Sequence, residues 1–441
     1  MTTRFLRRGA AALAGAALLA AAPLASAPAF AGVPHPLSPH TRFFVPKAPD
    51  GSQQQIAQLR RSGHKADAAL IQKEVTTPQA VWFTDGTAAQ VQREVRKVAH
   101  QAAAKRSVPT LVVYNVPGRD CSQYSSGGAA TDAAYRTWVD GFARGLPEHQ
   151  KVIVIVEPDG LANLPSDCAG AYPGQDVGTF PNPAPGSLTA GRIADISYAG
   201  TRIRQADRNA LVYLDAGHSA WHGVADATAR LEAAGVQHVQ GFSLNVSNYQ
   251  WTPNLSEYGT WISDCIALHP DAATTAPNDC GDQYWNGGPG GPSTPGALDP
   301  SKRWSPTSTD PGANTAGIDA RYTQSLAAAE VTPTTHFVVD TSRNGRGPWS
   351  VADGTYPDAQ TWCNPPERGL GARPQAEPSK AYPLLDADLW VKTPGQSDGQ
   401  CNRGVAGSTT DPAWGGMTDP AAGAWFPQQA LQLAKLASPK L

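Results

Sequence analysis

Short apolar runs recur along the chain, and each of them ends in polar residues. Runs of this length that are rich in Val, Ile, Leu and Phe are typical of strands buried on both faces. Strands are predicted at AVWF (80–83), TLVVYN (110–115), KVIVIVEPD (151–159), ALVYLDAGH (210–218), GFSLNVSN (241–248), HFVVDTSRNG (336–345) and DADLWVK (386–392). The pattern therefore predicts about seven buried strands with polar groups at their carboxyl ends.

Helical patterns lie between several of these strands. Val91, Val95 and Val98 follow the first run at helical spacing, and apolar residues within 135–146 form one face after Thr131, a predicted N-cap. Strands that alternate with helices predict a parallel sheet covered by helices. Polar residues at the strand ends further predict an α/β fold, a distorted (β/α) barrel whose functional site lies at that rim. Other helices are marked by Ile193, Ile196, Ile203, Leu231, Phe426, Ala430 and Leu433.

The chain is expected to hold a signal peptide and one domain. Residues 1–31 combine arginines, an Ala/Leu run and small-residue cleavage sites, which is typical of a secretory signal. Residues 32–441 are expected to form a single domain, because barrels with insertions run past about 400 residues. Two Gly/Pro-rich stretches, at about 169–188 and 264–315, are predicted to be long rim loops. The mature protein is therefore expected to be extracellular.

Composition narrows the class of partner. The net charge is −2 and only 16% of residues are charged, so neither nucleic acid nor an anionic membrane is an expected partner. No cofactor and no oligomeric partner is expected either. Six cysteines in an exported chain favour three disulfides, for which 15 connectivities exist. Cys265 and Cys280 lie in one loop, so a local bridge is their simplest pairing.

Aspartates stand at the tips of several predicted strands. Burial and mutual repulsion raise the pKa of at least one carboxyl group in such a cluster. A protonated carboxyl can donate a proton to a leaving oxygen while a second carboxylate activates water, as glycoside hydrolysis requires. The alternative is that these aspartates cap helices or pair with arginines such as Arg119 and Arg343. The aspartates are Asp120, Asp159, Asp215, Asp340 and Asp398.

Tryptophans accompany these carboxylates. Trp82, Trp221 and Trp362 lie near strand ends, where an indole can stack on the apolar face of a sugar ring. Trp390 lies inside a predicted strand and is interpreted as core. Other chemistries fit poorly. The segment GHSAW (217–221) lacks the final glycine of a nucleophile elbow. His218 and His222 lie four residues apart, but Ser219 stands where the H-E-x-x-H zinc motif needs glutamate, so no metal site is expected.

Several segments then resemble one enzyme family. VVYNVPGRDCSQYSSGG (112–128) and VIVIVEPDGLANL (152–164) are similar to the two signatures of glycoside hydrolase family 6. Its members are inverting β-1,4-glucanases, namely endoglucanases and cellobiohydrolases that act on cellulose. Five more segments resemble the family in family order: LDAGHSAWH (214–222), NVSNYQW (245–251), DTSRNG (340–345), WCNPPERG (362–369) and LWVKTPGQSDGQC (389–401).

The resemblance implies a distorted barrel of seven parallel strands and a role for each matching residue. Asp159 would be the general acid, Asp120 would keep it protonated, and Asp398 stands where the family places its debated base. Tyr114 would press on the sugar at the cleavage point, and Ser126 would help position the attacking water. The glucose subsites would be lined by Trp82, Asp215, His218, Trp221, Asn245, Asn248, Trp362, Lys392 and Gln396. Gln396 departs from the glutamate that the family often carries there.

The resemblance also implies disulfides and a mode of action. Cys121–Cys168 would join the two signature loops, and Cys363–Cys401 would join the tryptophan loop to the loop of Asp398. Cys265–Cys280 remains as the third bridge. The short loop near the first signature resembles the endoglucanase form, so cleavage of internal bonds in cellulose and related β-glucans is expected. The alternatives are an exo-acting cellobiohydrolase and, more remotely, a non-catalytic polysaccharide-binding protein.

Overall fold

The computed structural model describes residues 37–270, 280–284 and 297–441, so the predicted signal segment 1–31 lies outside the described residues. The strands are β1 Val81–Phe83, β2 Thr110–Val113, β3 Val152–Val156, β4 Ala210–Asp215, β5 Gly241–Leu244, β6 His336–Asp340, β7 Gln375–Ala376 and β8 Leu385–Leu389. The helices are α1 Ser52–Arg61, α2 Lys65–Val75, α3 Ala88–Ala104, α4 Asp132–Gly145, α5 Leu188–Ala206, α6 Val224–Ala233, α7 Thr252–Leu268, α8 Ala316–Ala329 and α9 Pro427–Lys435.

One curled sheet organises the molecule. Its strand order is β1-β2-β3-β4-β5-β6-β8-β7. The seven predicted strands pair in parallel, which confirms the predicted distorted α/β barrel. Strand β7 was not predicted, because its two residues carry no pattern, and it pairs antiparallel with β8 at one edge.

Strand β3 shows why these strands consist of unbroken apolar runs and do not alternate apolar with polar residues. Ile153 and Ile155 point into the interior of the curled sheet, where they join side chains from β2, β4, β6 and β8. Val152, Val154 and Val156 point outward and pack under α4 and α5. Because both faces are buried, a polar residue at any of these positions would lose its contact with water.

The first and last parallel strands meet at a seam. The Ala80 N–H donates to the Trp390 carbonyl (2.9 Å), and the Trp82 indole N–H donates to the Val391 carbonyl (2.8 Å). Trp390 lies in a separate apolar cluster with residues of α1, α2 and α9, as the core interpretation of this tryptophan predicted. Helices α1 and α2, which sequence patterning missed, therefore cover the seam together with the C-terminal helix.

The predicted insertions differ from the observed loops in one respect. Residues 264–268 belong to α7, so the second insertion begins later than predicted. The stretch 169–188 does link a short 3₁₀ helix to α5, which begins at Leu188. The described residues all fall in one compact unit, and within them no helix is long and apolar enough to cross a membrane.

Candidate active site

A cleft of about 920 Å³ opens at the carboxyl ends of the strands. This is the rim that the sequence pattern predicted, since parallel strands present their loops at one end. All the predicted catalytic residues and most of the predicted sugar contacts lie in its wall. They are Tyr114, Asp120, Ser126, Asp159 and Asp398, with Trp82, His218, Trp221, Asn248, Trp362, Lys392 and Gln396.

Asp159 stands just beyond the end of β3 in a left-handed conformation, with φ at 61°. Its Oδ1 is buried and has no hydrogen-bond partner. Burial raises the pKa of Asp159 well above its ordinary value, and the charges of Asp215, Asp120 and Asp398 raise it further. A protonated carboxyl group aimed into the cleft can act as a proton donor.

Asp398 has the opposite electrostatic environment. Its carboxylate contacts Arg343 Nη1 and Lys392 Nζ, each at 2.9 Å, and accepts the Asn364 backbone N–H at 2.9 Å. Burial alone would raise the pKa of Asp398, but Arg343 and Lys392 outweigh burial and lower the pKa to about 2. This group is therefore a carboxylate at any ordinary pH.

Asp120 lies between these extremes. Burial raises the pKa of Asp120, whereas the Ser125 backbone N–H, which donates to its Oδ2 at 2.6 Å, and Arg119 lower it. Arg119 also donates to the carbonyls of Tyr114 (2.7 Å) and Thr84 (2.8 Å). The arginine thus supports the loop that carries Asp120, and its charge lowers the pKa of that aspartate.

Glu157, the carboxylate beside Pro158, has a structural role that the sequence did not reveal. Its buried side chain accepts the backbone N–H groups of Asn115 (3.0 Å) and Val116 (3.1 Å), which follow β2. Arg192 of α5 donates to the Pro117 (2.8 Å) and Gly118 carbonyls (3.0 Å) in the same loop. The loop leading to Asp120 is thereby fixed against β3 and α5.

Asp215, Asn245 and Asp340 lie beneath the cleft wall. Asp215 is 1% exposed and accepts the Asp159 backbone N–H (2.9 Å) and the Ser243 hydroxyl (2.9 Å). Asn245 donates to the Asp340 carbonyl at 2.8 Å. The structure thus places Asp215 and Asn245, both expected to line glucose subsites, behind the wall, where they hold the loops that carry the lining residues.

Asp340 joins three strand ends. Its carboxylate accepts backbone N–H groups of Ser247 (3.1 Å), Ser342 (2.9 Å) and Lys392 (2.9 Å). These residues follow β5, β6 and β8 respectively. Asp340 therefore fixes the position of Lys392 relative to the rest of the rim.

Aromatic side chains form the remaining walls. The rings of Trp82 and Tyr114 meet edge to face with centroids 5.3 Å apart. Trp221 packs near His218, whose pKa is lowered by burial and by the neighbouring His222 to about 3. Trp362 is 36% exposed, as expected for an aromatic platform open to a ligand.

His222 is not available as a metal ligand beside His218. Its Nδ1 lies 2.6 Å from Asp226 and its Nε2 lies 2.7 Å from the Ala162 carbonyl. Both ring nitrogens therefore already have a protein partner.

Three residues that contact Asp398 were not predicted individually from the sequence: Arg343, Tyr249 and Asn364. Arg343 appeared there only as a general ion-pair partner, yet it directly contacts Asp398. Tyr249 donates to the same carboxylate at 3.3 Å, and Asn364 contacts it through the backbone. Each stands inside a segment that carried the family resemblance, so their presence in those segments was the available signal.

The disulfides match the predicted pairing. The bridges are Cys121–Cys168, Cys265–Cys280 and Cys363–Cys401. The first joins the loop of Asp120 to the segment after Asp159, and the last joins the Trp362 loop to the Asp398 loop. Two of the three bridges therefore restrain loops that carry cleft carboxylates.

A carboxyl group with a raised pKa and an ionised carboxylate that line one aromatic cleft are the kind of pair that glycoside hydrolysis uses. The family model for Glycosyl hydrolases family 6 matches residues 38–437. The chain belongs to this family.

Known relatives agree with this membership. Endoglucanase A of Cellulomonas fimi is 32% identical over 370 residues, which cover 84% of this chain and 56% of that protein. Endoglucanase 1 of Streptomyces halstedii is 30% identical over 387 residues, covering 86% and 90%. A 1,4-β-D-glucan cellobiohydrolase C of Emericella nidulans is 28% identical over 353 residues, covering 75% and 61%. The chain thus spans little more than half of the Cellulomonas relative.

A solved structure is also similar. The endoglucanase Cel6 from Mycobacterium tuberculosis, in complex with methyl-cellobiosyl-4-deoxy-4-thio-β-D-cellobioside, aligns with a TM-score of 0.59 and 30% identity. The alignment covers 92% of this chain and 98% of that one.

Proposed function

We propose that this protein is a secreted endo-β-1,4-glucanase that hydrolyses cellulose and related β-glucans with inversion at the anomeric carbon. The observation that carries the proposal is the contrast between Asp159, whose pKa is raised well above its ordinary value, and Asp398, whose pKa is lowered to about 2. General acid and general base need these opposite protonation states at the same pH. The three disulfides support export to an oxidising compartment.

In the proposed reaction Asp159 donates its proton to the glycosidic oxygen as the bond to the leaving sugar breaks. The proton is available because burial and three neighbouring carboxylates oppose the charged form of Asp159. Asp120 contributes to that opposition and can accept a hydrogen bond from the attacking water. The products are two shorter chains, and Asp159 is left as the carboxylate.

Water attacks the anomeric carbon from the face opposite the leaving oxygen. Asp398, held as a carboxylate by Arg343 and Lys392, takes the water's proton directly or through a second water positioned by Ser126. Loss of that proton to bulk solvent, and uptake of one by Asp159, restores both groups. Trp82, Trp221 and Trp362 would stack on glucosyl rings along the cleft.

The endo mode is supported by the relatives named endoglucanase, which are more similar than the cellobiohydrolase. One observation favours the exo alternative. The loop after β2 reaches the loop after β8 through Tyr124, whose hydroxyl lies 3.2 Å from Asn402 Oδ1 and 3.2 Å from Gln360 Nε2. A roof over the cleft would restrict entry of an internal chain segment.

Two measurements test the proposal. Reducing sugar released from carboxymethylcellulose, compared with the loss of viscosity, separates endo from exo action, because internal cuts lower viscosity with few new ends. NMR of the first product should show the α-anomer; a β-anomer would exclude inversion. Asp159→Asn should abolish hydrolysis while cello-oligosaccharide binding persists. Binding without hydrolysis by the wild type would instead identify a polysaccharide-binding protein.

A further inference from the structure

The cleft contains a tryptophan that no sequence motif assigned. Trp349 lies in the loop between β6 and β7 and lines the same cleft as the catalytic carboxylates. Its ring contacts are with Tyr356 (centroids 6.2 Å apart) and with Arg403, rather than with the aromatic residues around Asp159. It therefore belongs to a separate part of the wall.

The backbone of the loop that carries Trp349 is held in place by neighbouring side chains. Arg368 Nη1 donates to the carbonyls of Gly347 (2.8 Å) and Pro348 (2.7 Å). Gly347 has φ at 68°, and a Cβ there would lie 2.0 Å from the ring of Trp251. Only glycine fits this approach, so the loop is seated closely against Trp251.

The indole of Trp349 also packs against a buried arginine. The Arg403 guanidinium lies 5.1 Å from its ring centroid, and Arg403 itself is fully buried. Asp411 holds that guanidinium through both carboxylate oxygens, at 2.6 and 2.9 Å. An aromatic ring immobilised on one side loses little conformational entropy when a ligand stacks on it.

The second insertion supplies the neighbouring edge of this wall. Pro300 and Ser301 line the cleft. The Trp251 indole N–H donates to the Ser301 carbonyl (2.9 Å), and Asn254 Nδ2 donates to the Lys302 carbonyl (2.9 Å). Trp251 thus holds both the Trp349 loop and the insertion edge, which gives the described part of the insertion a place in the cleft.

We propose that Trp349 and the Pro300–Ser301 edge form an additional glucosyl subsite, outside the residues that the family resemblance assigns. The subsite would stack one glucosyl ring of a long β-1,4-glucan chain on the indole. It rests on the proposed glucanase function and makes the enzyme favour long chains over short oligosaccharides. Recognition would come from the apolar C–H face of the glucosyl ring packing flat against the fixed indole.

The test compares binding of cellotriose and cellohexaose to Asp159→Asn with and without Trp349→Ala, by titration calorimetry. We expect cellohexaose to bind roughly tenfold more weakly without the indole, as removal of one stacking platform predicts. Cellotriose affinity should stay unchanged, which also shows that the fold is intact. Trp349→Phe keeps an aromatic ring and should restore most of the loss.

Equal weakening for both oligosaccharides, or no weakening for either, would overturn the subsite. The same would follow if Trp349→Phe behaved like Trp349→Ala. Hydrolysis of carboxymethylcellulose by the otherwise wild-type protein is measured in parallel. Activity there together with unchanged cellohexaose binding rejects the subsite alone, whereas no activity and no oligosaccharide binding rejects the glucanase proposal as well.

Discussion

Asn364 forms hydrogen bonds with both the side chain and the backbone of Asp398. Its backbone N–H donates to the Asp398 carboxylate at 2.9 Å, and its side-chain Oδ1 accepts the Asp398 backbone N–H at 2.8 Å. The Nδ2 of Asn364 donates to the Gly399 carbonyl (2.9 Å) and to Asp419 (2.8 Å). Asn364 is fully buried with φ at 40°, a conformation that asparagine tolerates better than most residues.

Removing this side chain should impair catalysis more than binding. In Asn364→Gly the left-handed backbone is retained, but the buried Asp398 N–H loses its acceptor, at a cost of about 1–3 kcal/mol. We therefore expect kcat to fall by at least about tenfold with a smaller change in KM, together with a lower Tm. Kinetics on soluble cello-oligosaccharides checks this. Asn209→Gly, in the half-buried turn before β4 and outside the cleft lining, is the control. A purely thermal effect with unchanged kcat would contradict the positioning role.

The charge of Lys392 should influence the position of both the acid and the basic limb of the kcat/KM profile against pH. Its charge lowers the pKa of Asp398 and that of Asp159. In Lys392→Met both pKa values rise, so the acid limb of kcat/KM, where Asp398 gains a proton, moves to higher pH. The basic limb, where Asp159 loses its proton, moves upward as well. Profiles that extend from below about pH 2 to about pH 9 measure this, with Lys435→Met, whose exposed ion pair lies on α9, as control. Unchanged limbs would refute the assignments.

Removing the charge of Asp215 should move only the basic limb of the kcat/KM profile, and in the direction opposite to the shift expected for Lys392→Met. After burial, the charge of Asp215 is the largest contribution that raises the pKa of Asp159. Asp215→Asn removes that charge, while the amide oxygen can still accept the Asp159 N–H. The pKa of Asp159 then falls, and the basic limb of kcat/KM moves to lower pH. A shift upward, or a loss of activity at every pH, would show that Asp215 has another role.

Stability should decline as pH rises from about 4 to about 7. Burial and the charge of Asp319 raise the pKa of Glu257 and of Asp264, each to about 7, so both are protonated in the folded state below that pH. The unfolded chain releases these protons near their ordinary values, and the stabilisation present at low pH is lost as pH rises through the folded values. We expect a higher Tm at pH 5 than at pH 8.

The double variant Glu257→Gln/Asp264→Asn should flatten this dependence. Both residues lie on α7, away from the cleft, so activity at pH 5 should be retained. Thermal unfolding followed at pH 5, 6, 7 and 8 measures the effect. A variant that keeps the full wild-type slope would assign the pH dependence to other carboxyl groups.

The amino-acid sequence by itself determined the strands and the reactive groups. The Val/Ile run of β3 must be buried on both faces, and Pro158 must end it, so Asp159 had to stand at a strand tip. Apolar periodicity likewise located α3, α4 and α5. Helices α1 and α2 were not predicted, because each buries only a narrow stripe of side chains over the seam. Strand β7 was not predicted, because two residues are too few to show a hydrophobic pattern.

Only the tertiary structure decided what each carboxylate does. Asp120, Asp159, Asp215, Asp340 and Asp398 look alike in sequence, since each follows an apolar run or stands in a polar loop. Proton affinity depends instead on which charges and N–H groups come within a few ångströms across the barrel, and those partners lie far away in sequence. Packing placed Arg343 and Lys392 in direct contact with Asp398, whereas at Asp159 burial and the charges of Asp215, Asp120 and Asp398 outweigh the charge of Lys392. The same residue type therefore keeps its charge at one strand end and holds its proton at another.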